Sequence, residues 1–130
     1  MRSHLEFRAA SLVDEELAND EPAGETAARF LAATLPEHGF PVLDVFEEDW
    51  GWCVRIANET FPLWVGCGSY LDSSGHLWFI EPSRPYVRRW LRRISTTEVI
   101  ERLASVLEEI VPSVPDGADL RWWTEAEISR

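Results

Sequence analysis

The hydrophobic positions of this chain change period several times, and each change marks an element. Residues 5–10, LEFRAA, alternate weakly and predict a short strand. Residues 11–23 are polar and acidic, contain Pro22, and predict a loop. From Gly24 to Leu35, apolar Ala27, Phe30, Leu31 and Leu35 fall on one helical stripe. Pro36 cannot continue that helix, and Gly39 suits a left-handed terminator. The period then drops to two. Residues 41–46, 52–57 and 60–67 predict three strands, with Asn58-Glu59 as a two-residue hairpin turn between the last two. Residues 77–81 predict another strand, set off by the turn-forming Asp72, Ser73, Ser74 and Gly75.

Beyond Glu81 the period becomes helical again. Ser83 and Pro85 suit a helix opening, and Tyr86, Val87, Trp90, Leu91 and Ile94 form an apolar stripe. Ser95 and Glu98 fit a capping box, the reciprocal hydrogen bonds that start a helix. A second helix follows on Val99, Ile100, Leu103, Val106, Leu107, Ile110 and Val111, with Pro112 and Pro115 ending it. Residues 120–124 predict a last strand. Strands and helices do not alternate regularly, so a parallel doubly wound sheet is disfavoured. The pattern predicts an α+β fold: a mostly antiparallel sheet of about five to six strands packed with about two to three helices, as one domain over 1–130 with a partly irregular start.

A tight Asn58-Glu59 reversal has a consequence for the cysteines. It sets Cys67 opposite Trp50 and Cys53 opposite Trp64. Side chains alternate between faces along a strand. Trp50, Trp52, Val54 and Ile56 then share a face with Phe61, Leu63, Val65 and Cys67, and Cys53, Arg55, Pro62 and Trp64 take the other. Sulfurs on opposite faces cannot bridge, so both cysteines are expected as free thiols. Gly66 and Gly68 are expected to make room for the indoles across the hairpin. Leu77 and Phe79 on one side, with Trp78 and Ile80 on the other, make a further strand apolar on both faces. Either the sheet is covered on both sides or one face meets a partner.

Charge narrows the partners. The net charge is −11, which repels nucleic acid and anionic membrane. The first 60 residues hold thirteen acids and four arginines, whereas Arg84, Arg88, Arg89, Arg92 and Arg93 cluster within ten residues. All twelve basic residues are arginine. The missing lysine excludes Schiff-base chemistry and a P-loop. No apolar run approaches the roughly 18 residues of a membrane span, and the start lacks a signal peptide's apolar stretch, so a cytoplasmic protein is expected.

The candidate chemistry is sparse. Glu47, Glu48 and Asp49 beside Trp50 and Trp52 could hold an acid–base pair, since carboxylates among indoles have raised pKa values. The plainer reading is a solvated loop with one acid paired to the arginine cluster. Cys67 with His76 is a conceivable cysteine–histidine pair, but nothing in the sequence positions it. No serine-hydrolase elbow or phosphate loop is present, and His4, His38 and His76 lack metal-ligand spacing, so neither metal nor cofactor is expected. On the predicted short helix Arg88, Arg89, Arg92 and Arg93 gather on one side, to pair with the chain's own acids or to dock an anion or acidic partner.

The stretches Glu48-Asp-Trp-Gly-Trp52, Asn58-Glu-Thr-Phe-Pro-Leu-Trp-Val-Gly-Cys-Gly68, Phe79-Ile-Glu-Pro-Ser-Arg-Pro-Tyr-Val-Arg-Arg-Trp90 and Leu120-Arg-Trp-Trp-Thr-Glu125 resemble a family of small bacterial proteins of unassigned function. The resemblance covers most of residues 40–125. It implies a bacterial, cytoplasmic, single-domain protein and transfers no catalytic residue. Two functions are carried forward. One is a non-enzymatic module binding a protein, a ligand or a second copy of itself, an immunity-like role among these, through Glu47, Glu48, Asp49, Trp50, Trp52, Trp64, Cys67, Trp78, Arg84 and Arg88. The other is a small enzyme using the acids with Cys67 or His76 in a tryptophan-lined cleft.

Overall fold

The computed structural model describes residues 1–14, 22–69 and 75–128. The expected 11–23 loop falls largely outside the described residues, as do Asp72, Ser73 and Ser74 of the predicted turn. Among the described residues eight strands and three α-helices follow in the order β1 (His4–Arg8), α1 (Glu25–Thr34), β2 (Val42–Glu48), β3 (Gly51–Ile56), β4 (Leu63–Ser69), β5 (Gly75–Glu81), β6 (Tyr86–Arg89), β7 (Arg92–Ser95), α2 (Thr97–Ser113), β8 (Ala118–Trp123) and α3 (Glu125–Ile128). Six strands form one sheet in the order β2-β3-β4-β5-β1-β8, every neighbour antiparallel, and β6 and β7 form a separate hairpin. The α+β expectation holds.

Both long helices pack on one face of this sheet. Leu5, Phe7, Val54, Ile56, Leu63, Val65, Cys67, Trp78 and Ile80 point there, alternating along their strands, and join Ala27, Ala28 and Leu31 of α1 and Ile100, Leu103, Leu107 and Ile110 of α2 in one buried cluster. The helical stripes read from sequence are therefore the buried faces. Gly39 takes φ +88 just after the turn that Pro36 opens, as its lack of a side chain permits. The start of α1 is capped from outside: Asp14 accepts hydrogen bonds from the amides of Gly24 and Thr26, both at 2.8 Å.

Three expectations require correction. The β3–β4 connection is not a two-residue turn. Ile56 pairs with Leu63, so six residues, 57–62, make the loop. Trp52, not Trp50, faces Cys67, and Gly66, not Trp64, faces Cys53. The slip is two residues, and a two-residue period leaves every strand position on its expected face. Residues 83–94 are not a helix. In a helix Arg84, Arg88 and Arg92 would stack like charges four residues apart, as would Arg89 and Arg93. Instead Val87 pairs with Ile94 across the β6–β7 hairpin, and both pack against the core. Third, Ser95 is the end of β7 rather than a cap. Thr96 precedes α2, its hydroxyl donating to the Arg84 carbonyl, and Pro112 lies inside the helix.

The glycines of β3 and β4 serve backbone approaches more than indoles. A Cβ on Gly51 would sit 2.3 Å from the Cys67 carbonyl oxygen, and one on Gly24 would sit 2.4 Å from the same atom. A Cβ on Gly66 would lie 2.2 Å from the Phe79 ring, so that floor holds a phenyl ring. Gly68 meets only the Trp50 carbonyl at 3.5 Å, an ordinary contact. Gly51→Ala is expected to lower unfolding free energy by about 1–3 kcal/mol, the usual cost of overpacking. Gly68→Ala should change it by no more than about 0.5 kcal/mol. Urea midpoints of the two variants measure the contrast.

Candidate functional site

The ten residues singled out from sequence do not gather in one place. Glu47 pairs with Trp52 on the helix-side face of the sheet, and Glu48 pairs with Gly51 on the opposite face. Asp49 sits in the intervening two-residue turn, and all three acids are exposed. Trp52 is half-buried on the helix side under the Arg29 guanidinium, 5.5 Å from its ring. Cys67 and Trp78 are sealed in the core, Trp78 with its edge against Phe7 at 4.7 Å. Arg84 and Arg88 belong to the separate hairpin and its approach. Among the described residues, no ion pair joins the three acids to the 84–93 arginines.

What does gather is an aromatic cluster on the face the helices leave open. Trp50 was expected beside Trp52, but it occupies a turn, where strict alternation lapses, and its ring crosses to the other side. It stacks on Trp64 at 5.9 Å and tilts against Phe79 at 5.0 Å, while Trp64 meets Phe79 edge-on at 5.6 Å. Gly66 makes the floor. Trp50 remains 45% exposed, and Trp64 and Phe79 are half-buried. Glu48 borders the cluster on β2, and Asp44 lies on the same face, holding Arg55 through a 2.7 Å hydrogen bond and a second, shorter one. Sequence reasoning missed Phe79 as a site residue. The available signal was a glycine flanked by strands rich in aromatic residues, which strand pairing turns into a seat for a ring.

A second group lies at the other end of this face. His4 of β1 stacks on Phe79 at 5.5 Å, its Nδ1 is 2.7 Å from Ser3 Oγ, and its Nε2 is 4.0 Å from Glu125. Burial lowers the His4 pKa, against the pull of Glu125. Glu81 moves the other way. Burial and the nearby Glu125 raise its pKa, although Arg84 and Ser83 oppose the shift. Ser3 is fully buried, so its hydroxyl is out of reach of a substrate. These residues come from β1, β5 and α3, and no spacing in the sequence announced them.

The cysteine chemistry can be followed in detail. Both thiols are free and buried, on opposite faces as expected. Burial pushes Cys53 up to about 11, with Glu48 and Asp44 adding to the shift, and burial pushes Cys67 higher still. A nucleophilic thiol needs the reverse. His76 shares Cys67's face but is stacked on Phe7, and its Nε2 donates to the Ala9 carbonyl at 2.9 Å, which leaves it structural. Cys67, His76 and the three acids therefore do not line a common cleft. Among the described residues, no three side chains of the metal-binding types converge on a point.

No protein family matches this chain, and no curated protein or solved structure matches it either. The site stands on its own geometry.

Two outcomes follow. Near neutral pH neither thiol should react with a disulfide reagent in the folded protein, and both should react at once in denaturant, as thiol titration would register. The raised Glu81 pKa means the folded state holds this proton more tightly. Its contribution is complete below the unfolded value of 4.5 and is lost as pH rises through the folded value. Glu81→Gln should therefore gain stability over the wild type at neutral pH and lose that gain below about pH 4, read from urea midpoints across the range.

Proposed function

We propose that this chain is a non-enzymatic protein-binding module of the bacterial cytoplasm, with the acid-bordered aromatic face of its sheet as the docking surface. The observation that carries this reading is one-sided coverage. Helices α1 and α2 bury one face, while Trp50, Trp64 and Phe79 cluster on the other with Glu48 and Asp44 around them. Tryptophans gathered at a surface are the usual anchors of an interface, because they remove a large apolar area from water at small entropic cost.

The acids define the kind of partner. A basic surface would gain from Glu48, Asp49 and the net charge of −11, which steers association and suppresses acidic competitors. Nucleic acid and anionic lipid are repelled by that charge. An immunity-type role, in which an acidic protein covers a basic toxin, belongs to this class.

Capture from a lysate of the native host tests this reading. Wild-type protein should retain a partner that presents a basic surface, a second copy of the chain included, and Glu48→Arg with Trp50→Ser should lose it while keeping the wild-type circular dichroism. Equal retention by both forms, or none by either, would reject the aromatic face as the docking surface.

A further inference from the structure

The β6–β7 hairpin has a construction that packing does not explain. Its two-residue turn, Trp90-Leu91, is 95% and 93% exposed. These are the largest exposures among the big apolar side chains of the described residues. Trp90 also holds φ at 63°, the left-handed region that a bulky residue rarely adopts. Such an outlier persists only where something outweighs its cost, and it points to function.

The arms of the hairpin repeat the theme. Arg88 lies directly opposite Arg93, and Arg89 opposite Arg92. Like charges facing each other across two strands repel. Arg93 lies over the Tyr86 ring at 4.0 Å, and among the described residues none of the four arginines has an ion-pair partner. Four of the chain's twelve arginines thus occupy one short ribbon that contains no acid, and the other eight face 23 acids elsewhere. The ribbon is a positive finger with an apolar tip on a strongly negative body.

The complement of that finger is already present in the chain. The open sheet face offers the exposed Trp50 beside the half-buried Trp64 and Phe79, bordered by Glu48 and Asp49. From this we infer that the partner which the docking face receives is the β6–β7 hairpin of a second copy of the chain. The inference rests on the docking role proposed above for that face and names its occupant. Trp90 and Leu91 lie against Trp50, Trp64 and Phe79. The arginines meet the acids around them, and cross-strand repulsion is relieved by the incoming negative charge. Two indoles and a phenyl ring meeting a third indole also give arginine flat surfaces to stack on.

Finger and face are different surfaces, so the contact is head-to-tail. A single contact leaves one finger and one face free, which either engage each other in a reciprocal pair or carry assembly on until it closes into a ring. The area is small, near the low end for specific interfaces, so association is weak and depends on concentration. Its charge component fades with salt.

Sedimentation velocity over a concentration series tests this, with two variants of the full chain. Trp90→Gly with Leu91→Ser removes the tip, and glycine accepts the turn's positive φ without strain, so the fold is retained. Glu48→Arg with Trp50→Ser removes the face. Wild-type protein at low salt should shift to larger species as concentration rises. It should return to monomer at about 1 M salt, where the screening length is about 3 Å. Each variant alone should stay monomeric. A mixture of the two should form a one-to-one heterodimer that grows no further, because one keeps the finger and the other the face. A wild type that stays monomeric at every concentration overturns the inference, as does a tip variant that assembles like the wild type or a mixture that forms no heterodimer. Sedimentation with phosphatidylserine vesicles that depends on the tip, by a protein that is otherwise monomeric, assigns the finger to lipid and also overturns it. A monomeric wild type that still captures a basic host protein through Trp50 leaves the docking face standing and removes only the self-association.

Discussion

The carbonyl of Cys67 is a point on which two glycines from separate elements converge. The Cα atoms of Gly24, at the start of α1, and Gly51, at the start of β3, both close on it, and a single added carbon on either would lie within 2.4 Å of its oxygen. That approach brings the first helix and the β2–β3 hairpin down onto the central strand β4. One residue earlier, the bare Gly66 lets Phe79 lie across the strand. One strand segment therefore sets the helix layer on one side and the aromatic cluster on the other. Close packing transmits such constraints because interiors leave no slack to absorb a displaced carbon.

The asymmetry of the two faces follows from this seating. Leu5, Phe7, Val65, Trp78 and Ile80 are spent against the helices. On the reverse, Trp50, Trp64 and Phe79 lie against one another, with His4 stacked on Phe79 and no helix over them. Across the same face toward β1 and β8 the chemistry becomes polar: Glu6 accepts from Trp123 Nε1 at 2.9 Å, and Arg121 lies over the Trp123 ring at 3.7 Å. The aromatic patch is thus confined to the middle of the sheet, with acids toward β2. A confined apolar patch with a charged border is the layout of a recognition surface, where the border sets specificity and the centre removes area from water.

Charge is distributed with the same economy. Arg2 reaches Glu101 and Glu108 of α2, Arg29 reaches Glu25, and Arg55 reaches Asp44, so these three neutralise acids within the fold, while Arg102 and Arg121 lie over the rings of Phe40 and Trp123. The ribbon of β6 and β7 withholds its four from that role. Exposed pairs contribute little to stability in any case. Their significance is for what approaches the surface, and this chain presents two unlike ones, an acid-bordered aromatic face and a basic ribbon.

Much of the fold was legible because it depends on periods. The stripe through Ala27 and Leu31 and the long stripe from Val99 to Val111 became the buried faces of α1 and α2. The parity of β3 and β4 correctly separated Cys53 from Cys67 although the turn between them was misjudged, because a slip of two residues returns each side chain to its own side. Where period is short or suspended, the sequence underdetermines the outcome. Tyr86, Val87, Trp90, Leu91 and Ile94 satisfy a helical stripe over two and a half turns, yet only Val87 and Ile94 found a core to join. Trp50 left its predicted face because a turn residue is not bound by alternation. The aromatic cluster and the His4–Glu81–Glu125 group are built from strands distant in sequence. Which side chains a chain owns, and which way they point along a strand, are local properties. Which of them meet, and which face stays bare, depend on strand order and on where the helices land.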